Sequence, residues 1–140
     1  MLSRSDFQIT RQNFNPAEPM NILRVACGAF MFPHFASKFS DGGLAPSTVS
    51  FFASAGFAPP EMWLVLAAAV ELVAGIGLVL GLCTRYAALL GTSVLVVAAF
   101  TLHSIGGFRW TWNTGGYEYL AFWAIATAVV GMHAWQRKDA

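Results

Sequence analysis

From residue 62 to residue 82 the chain carries aliphatic, aromatic and small residues with one charge among them, Glu71. At 1.5 Å per residue such a run spans about 30 Å, the thickness of a bilayer's hydrocarbon core. Residues 86–105 and 119–135 are nearly as apolar. A fourth span, 21–39, is amphipathic and carries Arg24, Pro33, His34 and Lys38. The four together predict an all-α fold, a transmembrane four-helix bundle with helices at 21–39, 62–82, 86–105 and 118–135. Residues 1–20 read as an exposed N-terminal tail, 21–135 as the bundle and 136–140 as a second short tail. The first twenty residues lack the apolar centre of a cleavable signal peptide. In the first connection, STVSFFASAG at 47–56 predicts a short interfacial helix along the outer surface, ended by Pro59-Pro60. The Gly42-Gly43 and Gly115-Gly116 pairs predict turns.

Composition agrees with a lipid environment. The chain is 56% hydrophobic and 11% charged over 140 residues, against about 25% charged in a soluble domain. Its mean hydropathy is +0.57. A net charge of +1 without long charge runs predicts no nucleic-acid partner. Cations set the orientation. Arg4, Arg11, Arg24, Arg85, Arg137 and Lys138 fall on the side of the termini, and Lys38 and Arg109 on the other. Six against two places both termini in the cytoplasm. The connections 40–60 and 106–118 then face outward, where Trp63, Phe108, Trp110, Trp112, Tyr117 and Tyr119 suit an interfacial aromatic belt.

Glu71 needs an explanation in such a helix. At about 100° per residue, Ala67, Glu71, Ala74 and Leu78 form one narrow stripe flanked by Gly75 and Gly81. The opposite face carries large aliphatics suited to lipid, while small residues suit close helix approach. Glu71 therefore points into the bundle. A charge there costs roughly 3 kcal/mol, so it is protonated, paired or beside water. The plainer alternative is a neutral Glu71 hydrogen-bonded to a backbone carbonyl or a hydroxyl.

Partners are available on neighbouring spans. His34 and Lys38 form an i,i+4 pair, with Cys27 on the same stripe. Counting the rise, His34 stands about 20 Å above Asn21, and Glu71 roughly 16 Å above Leu82, similar depths. On the third span Arg85, Thr92, Val96, Ala99 and His103 share one face, whereas Tyr86, Leu90, Val94 and Val97 face away. The expectation is that His34, Lys38, Glu71 and His103 line one cavity entered from the outer half, with Glu118 at its rim. For each histidine the bland alternative is a packed, satisfied residue. Cys27 and Cys83 lack C-x-x-C spacing and read as free packed cysteines. His133 lies far from His34 and His103, so no haem is expected, nor any metal. No phosphate loop or Ser-His-Asp arrangement appears.

Several short motifs recur in a known order. Leu23-Arg24, the H-x-x-x-K of His34 and Lys38, the E-L-x-x-G from Glu71 to Gly75, the G-L-x-T-R from Gly81 to Arg85, His103 and GGYEY at 115–119 resemble the DoxX family of small four-helix membrane proteins. The resemblance covers residues 21–135. One departure is Phe35, where the family often has Gly after the histidine; bulk there narrows or reshapes a cavity beside His34. The resemblance implies residence in the bacterial inner (cytoplasmic) membrane. It also implies association with a larger membrane redox complex, since related subunits belong to a thiosulfate:quinone oxidoreductase and were linked to a terminal quinol oxidase. A quinone is the implied cofactor. His34, His103, Glu118 and Arg109 are the candidates to hold it, and Glu71, His34, Lys38 and His103 the candidates to contact it or relay protons.

Three functions fit the sequence. One is an accessory or quinone-interacting subunit of a membrane oxidoreductase, any activity being quinone-linked and exercised with partner subunits. The second is a proton-coupled small-solute transporter or binding bundle using Glu71; at this length it has room for solute only as a homo-oligomer. The third is a non-catalytic scaffold packing against a larger membrane complex.

Overall fold

The protein's structure, a computed structural model, describes residues 2–139, without the side chains of Ser5, Lys138 and Asp139. Helix α1 (Pro19–Ala29) starts on a proline, whose fixed φ and missing N–H suit a first helical turn. The span 21–39 is not one helix. It breaks at Phe30 and resumes as α2 (Met31–Ala36). Pro33 offers no N–H to the Ala29 carbonyl, and its ring crowds that carbonyl, so the break falls where the proline forces it. Beyond Ala36 the chain leaves the helix and forms a small hairpin, β1 (Phe39–Ser40) against β2 (Gly43–Leu44), with Phe39 opposite Leu44. Asp41 and Gly42 both take positive φ, as an Asp-Gly hairpin turn requires.

Helix α3 (Pro46–Ser54) overlaps the short helix expected at 47–56 and packs against α4 (Pro60–Leu80). Gly81, at φ 73°, stops α4, and the Leu82 N–H returns 2.8 Å to the Gly77 carbonyl. This left-handed stop satisfies carbonyls the helix leaves open. Helices α5 (Thr84–Gly106) and α6 (Glu118–Asp139) follow. Helix α6 continues past 135 through most of the expected C-terminal tail, of which Ala140 lies outside the described residues.

Small residues decide the packing. Helix α1 packs against α4 and α6, and α5 packs against the same two. Where α1 crosses α4, a Cβ on Gly28 would stand 2.7 Å from Leu78 Cβ and 2.9 Å from the Gly75 carbonyl oxygen. Only glycine allows that approach, the usual device of close helix crossings in lipid. Around it Cys27, Met31, Leu78, Ala88, Leu95 and Trp123 form the core. The inner face of α4 is Leu64, Ala68, Glu71, Ala74, Gly75 and Leu78, while Val65, Leu66, Val73 and Ile76 are exposed. Phe100 on α5 and Phe122 and Ile125 on α6 are exposed as well. Helices α4 and α5 are long and apolar enough to cross a membrane, and a continuous apolar exterior of this kind faces lipid rather than water.

Helix α5 is rotated from the expected phase. Its buried residues are Arg85, Ala87, Ala88, Gly91, Leu95 and Thr101, whereas Val96 and His103 are exposed. Ala88 and Gly91 turn inward because they let α6 approach: a Cβ on Gly131 would lie 3.0 Å from Ala88, and one on Gly91 would lie 3.3 Å from Thr127.

The first twenty residues are largely exposed yet tied to the bundle. Two 3-10 turns, Arg4–Phe7 and Arg11–Phe14, fold over the α4–α5 turn. The Cys83 N–H donates to the Asp6 carbonyl at 2.7 Å, and Asn13 Nδ2 donates to the Leu80 carbonyl at 3.1 Å. Arg85 pairs with the Asp6 carboxylate at 3.4 Å. Arg24 donates to the Leu78, Val79 and Asn13 carbonyls. A helix C-terminus leaves four carbonyls without intrahelical partners, and this end of α4 is satisfied by Arg24 and the N-terminal segment.

Candidate functional site

Glu71 is carried inward by the small-residue face of α4. Lys38 stands just beyond α2, and its ammonium lies 2.6 Å from Glu71 Oε2, with the two side chains 10% and 11% exposed. The same ammonium donates to the His34 carbonyl at 3.1 Å. That carbonyl also accepts from Ser37 Oγ at 2.8 Å. A lysine has three N–H donors, so the two bonds leave one for a ligand. Of the two alternatives for Glu71, the structure has the paired carboxylate.

The pair opens on a cavity of about 420 Å³ bounded by α2, α3, α4, α5 and α6. This volume is within the usual range for small-molecule sites, about 300–1,000 Å³. The walls are mainly apolar. Phe51, Phe52 and Phe57 cover one side, and Val70, Leu90 and Val94 line the interior. Leu66, Leu90 and Val97 belong to the wall and are also exposed, so the cavity reaches the apolar exterior between α4 and α5. Polar side chains are a minority: Lys38, Glu71, His34, the hydroxyls of Ser37, Thr48, Ser93, Thr101 and Tyr119, and the Trp63 indole. His34 is half-buried, its ring 5.2 Å from that of Trp123. Trp123 is itself fixed by an Nε1 hydrogen bond to the Cys27 carbonyl at 3.1 Å.

The structure brings three of the four expected cavity residues together and separates the fourth. His34, Lys38 and Glu71 line the cavity; His103 does not. Its Nδ1 lies 3.2 Å from the Tyr117 hydroxyl, at the exposed end of α5. Glu118 is not at the rim either. It accepts the Trp112 N–H at 3.0 Å and closes the loop between α5 and α6, whose ends join through Tyr117 N–H to the Arg109 carbonyl. The Arg109 side chain is exposed and outside the cavity. Within the loop the Thr111 and Thr114 hydroxyls and the Glu118 carboxylate are engaged in local hydrogen bonds. Phe35 does not narrow the cavity, since its ring packs on Phe39, 5.2 Å away.

The reverse error concerns α5. Leu90, Val94 and Val97 were expected to face away from the site and instead line it. Tyr119, expected only in an aromatic belt, also lines it, as do Thr101 and the phenylalanines in and just after α3. The signal for the last was present in the sequence: three phenylalanines within 51–57 make a poor water-facing helix and a good cover.

Membrane-length apolar helices around a buried ion pair and an apolar cavity define a small helical membrane protein in contact with the bilayer. The DoxX family model matches residues 20–104, more than half of the chain, and the protein belongs to that family. The matched span contains Arg24, His34, Lys38, Glu71, Arg85 and His103. Comparison with characterised proteins and with solved structures gave no match.

Proposed function

We propose that the protein is a quinone-interacting subunit of a membrane oxidoreductase, and that the cavity beside Lys38 and Glu71 receives the quinone head group. The observation that carries this reading is one buried ion pair, with a free lysine donor, set in an otherwise apolar cavity that reaches the lipid-facing exterior. A bound quinone supplies two-electron, two-proton redox chemistry. The protein's own residues do the rest. Lys38 offers its third N–H to a carbonyl oxygen, and Glu71 holds the ammonium in place. His34 adds an imidazole, a group suited to proton exchange near neutral pH. The phenylalanines in and just after α3 exclude water, which strengthens each of these interactions. Such walls favour an apolar ring over a small polar solute. Electrons come from a partner subunit.

In this reading α1 with α2, α4, α5 and α6 are four membrane-crossing legs in the bacterial inner membrane, with α3 lying at the outer interface over the cavity. The excess of cations supports cytoplasmic termini: Arg4, Arg11, Arg24, Arg85 and Arg137 belong to the end where the N-terminal segment meets the α4–α5 turn. Lys38, on the other side, is neutralised by Glu71.

Photolabelling tests the site. An azido-quinone irradiated with the protein in native membranes should mark peptides containing Phe51, Phe52 or Val70, and excess unlabelled quinone should suppress the labelling. Label confined to the 106–118 loop would move the site elsewhere.

A further inference from the structure

Two arginines in the family-like motifs, Arg24 and Arg85, have no part in the quinone cavity. Arg24 lines a second cavity of about 240 Å³ at the other end of the bundle, where the N-terminal segment, α1, the start of α5 and α6 meet. The two cavities share no residue. Arg24 is 5% exposed. Its hydrogen-bond partners are backbone carbonyls, and among the described residues no carboxylate pairs with it. Carbonyls satisfy the guanidinium's hydrogen bonds but do not cancel its charge, and a buried cation without a counter-ion is costly.

The rest of the wall suits an anion. Arg137 lines it, held only by a loose, exposed contact to Glu18 at 3.7 Å. Thr84 adds a hydroxyl, while the Asn13 amide in the same wall is turned to the Leu80 carbonyl. His133 stands in the same wall with Nε2 buried and, among the described residues, without a hydrogen-bond partner, an unsatisfied polar atom of the kind that native structures seldom leave. The acidic group in the wall is Glu18, so two arginines face one carboxylate. The first turn of α1 also contributes Asn21, at the positive end of that helix's dipole.

We infer that this second cavity binds a phosphate oxyanion, with Arg24 as its buried counter-charge and Arg137 released from Glu18 to close over it. The group could be carried by an anionic phospholipid head or by free inorganic phosphate, since the chemistry recognised is the same. The site is independent of the quinone reading.

The test uses the full chain in neutral detergent, followed by native mass spectrometry with phosphatidylglycerol and, as the control that carries no phosphate, diacylglycerol of the same chains. Inorganic phosphate is titrated in a parallel calorimetric arm. Arg24 also caps α4, so the variants are placed at the rim. Saturable binding of phosphatidylglycerol over diacylglycerol identifies a lipid source; phosphate binding, or phosphate displacing the lipid, identifies the free ion. In either case Arg137→Gln should weaken binding about tenfold, and Glu18→Gln, which removes the competing carboxylate, should tighten it. A purely structural Arg137–Glu18 contact would not give opposite signs. The inference is overturned if neither arm binds above control, or if both variants bind as the parent does.

Discussion

Lys38 Nζ and Glu71 Oε2 lie 2.6 Å apart, joining the residue just beyond the broken first helix to the middle of α4 inside an apolar cavity. The pair's two halves come from segments 33 residues apart, and both side chains are about nine-tenths buried. Removing one partner leaves the other buried and unpaired, which costs about 3–5 kcal/mol, whereas replacing both with apolar side chains is often neutral or stabilising. Lys38→Met and Glu71→Leu should therefore each lower stability by about that amount, and the double variant should recover most of it. Unfolding of reconstituted protein by denaturant titration measures this. Single variants as stable as the parent would mean the pair is not buried as described.

The crossing of α1 and α4 gives a second prediction. A side chain at Gly28 would meet Leu78 Cβ and the Gly75 carbonyl. Overpacking of this kind costs about 1–3 kcal/mol or more. Gly28→Val should thus destabilise the protein by at least that much, while Ala29→Val, next door and exposed, should change little. Thermal unfolding of the two variants in the same detergent separates them. Equal behaviour would contradict the close crossing.

Topology gives a third. Ser47, Thr114 and Leu2 are exposed, and Cys27 is buried. With cytoplasmic termini, cysteines introduced at Ser47 and Thr114 should react with an impermeant maleimide from outside intact cells. One at Leu2 should react only after the inner face is opened. Labelling of Ser47→Cys from the cytoplasmic side alone would reverse the orientation.

These residues also show what a sequence can and cannot specify. Glu71 was legible because small residues at helical spacing mark the packed face of α4, and a carboxyl group on that face has to be protonated, paired or beside water. His34 followed from depth along the helix and Lys38 from its i,i+4 spacing to His34; that Lys38 is the partner of Glu71 did not follow. The break at Phe30 was written in Pro33, but the apolar run of 21–39 concealed it. The phase of α5 was not legible: its large aliphatics surround the helix, and the inward face is chosen by Ala88 and Gly91, whose role depends on where α6 lies. His103 was misplaced for that reason. The N-terminal segment's docking depends on open carbonyls at the end of α4, a demand that no residue in 1–20 advertises.

The central claim is that the Lys38–Glu71 cavity holds a quinone. Trp63 lines that cavity and the Trp123 ring lies 5.2 Å from that of His34, so a quinone bound there should quench tryptophan emission. The decisive measurement titrates a short-chain quinone into the reconstituted parent, Lys38→Met/Glu71→Leu and His103→Ala. Losing a hydrogen bond from a charged donor costs about 1.5–3 kcal/mol, at least a tenfold loss in affinity. The account predicts saturable quenching in the parent and in His103→Ala, weakened tenfold or more in the double variant. Quenching that never saturates in the parent, or that is unchanged in the double variant, would contradict it.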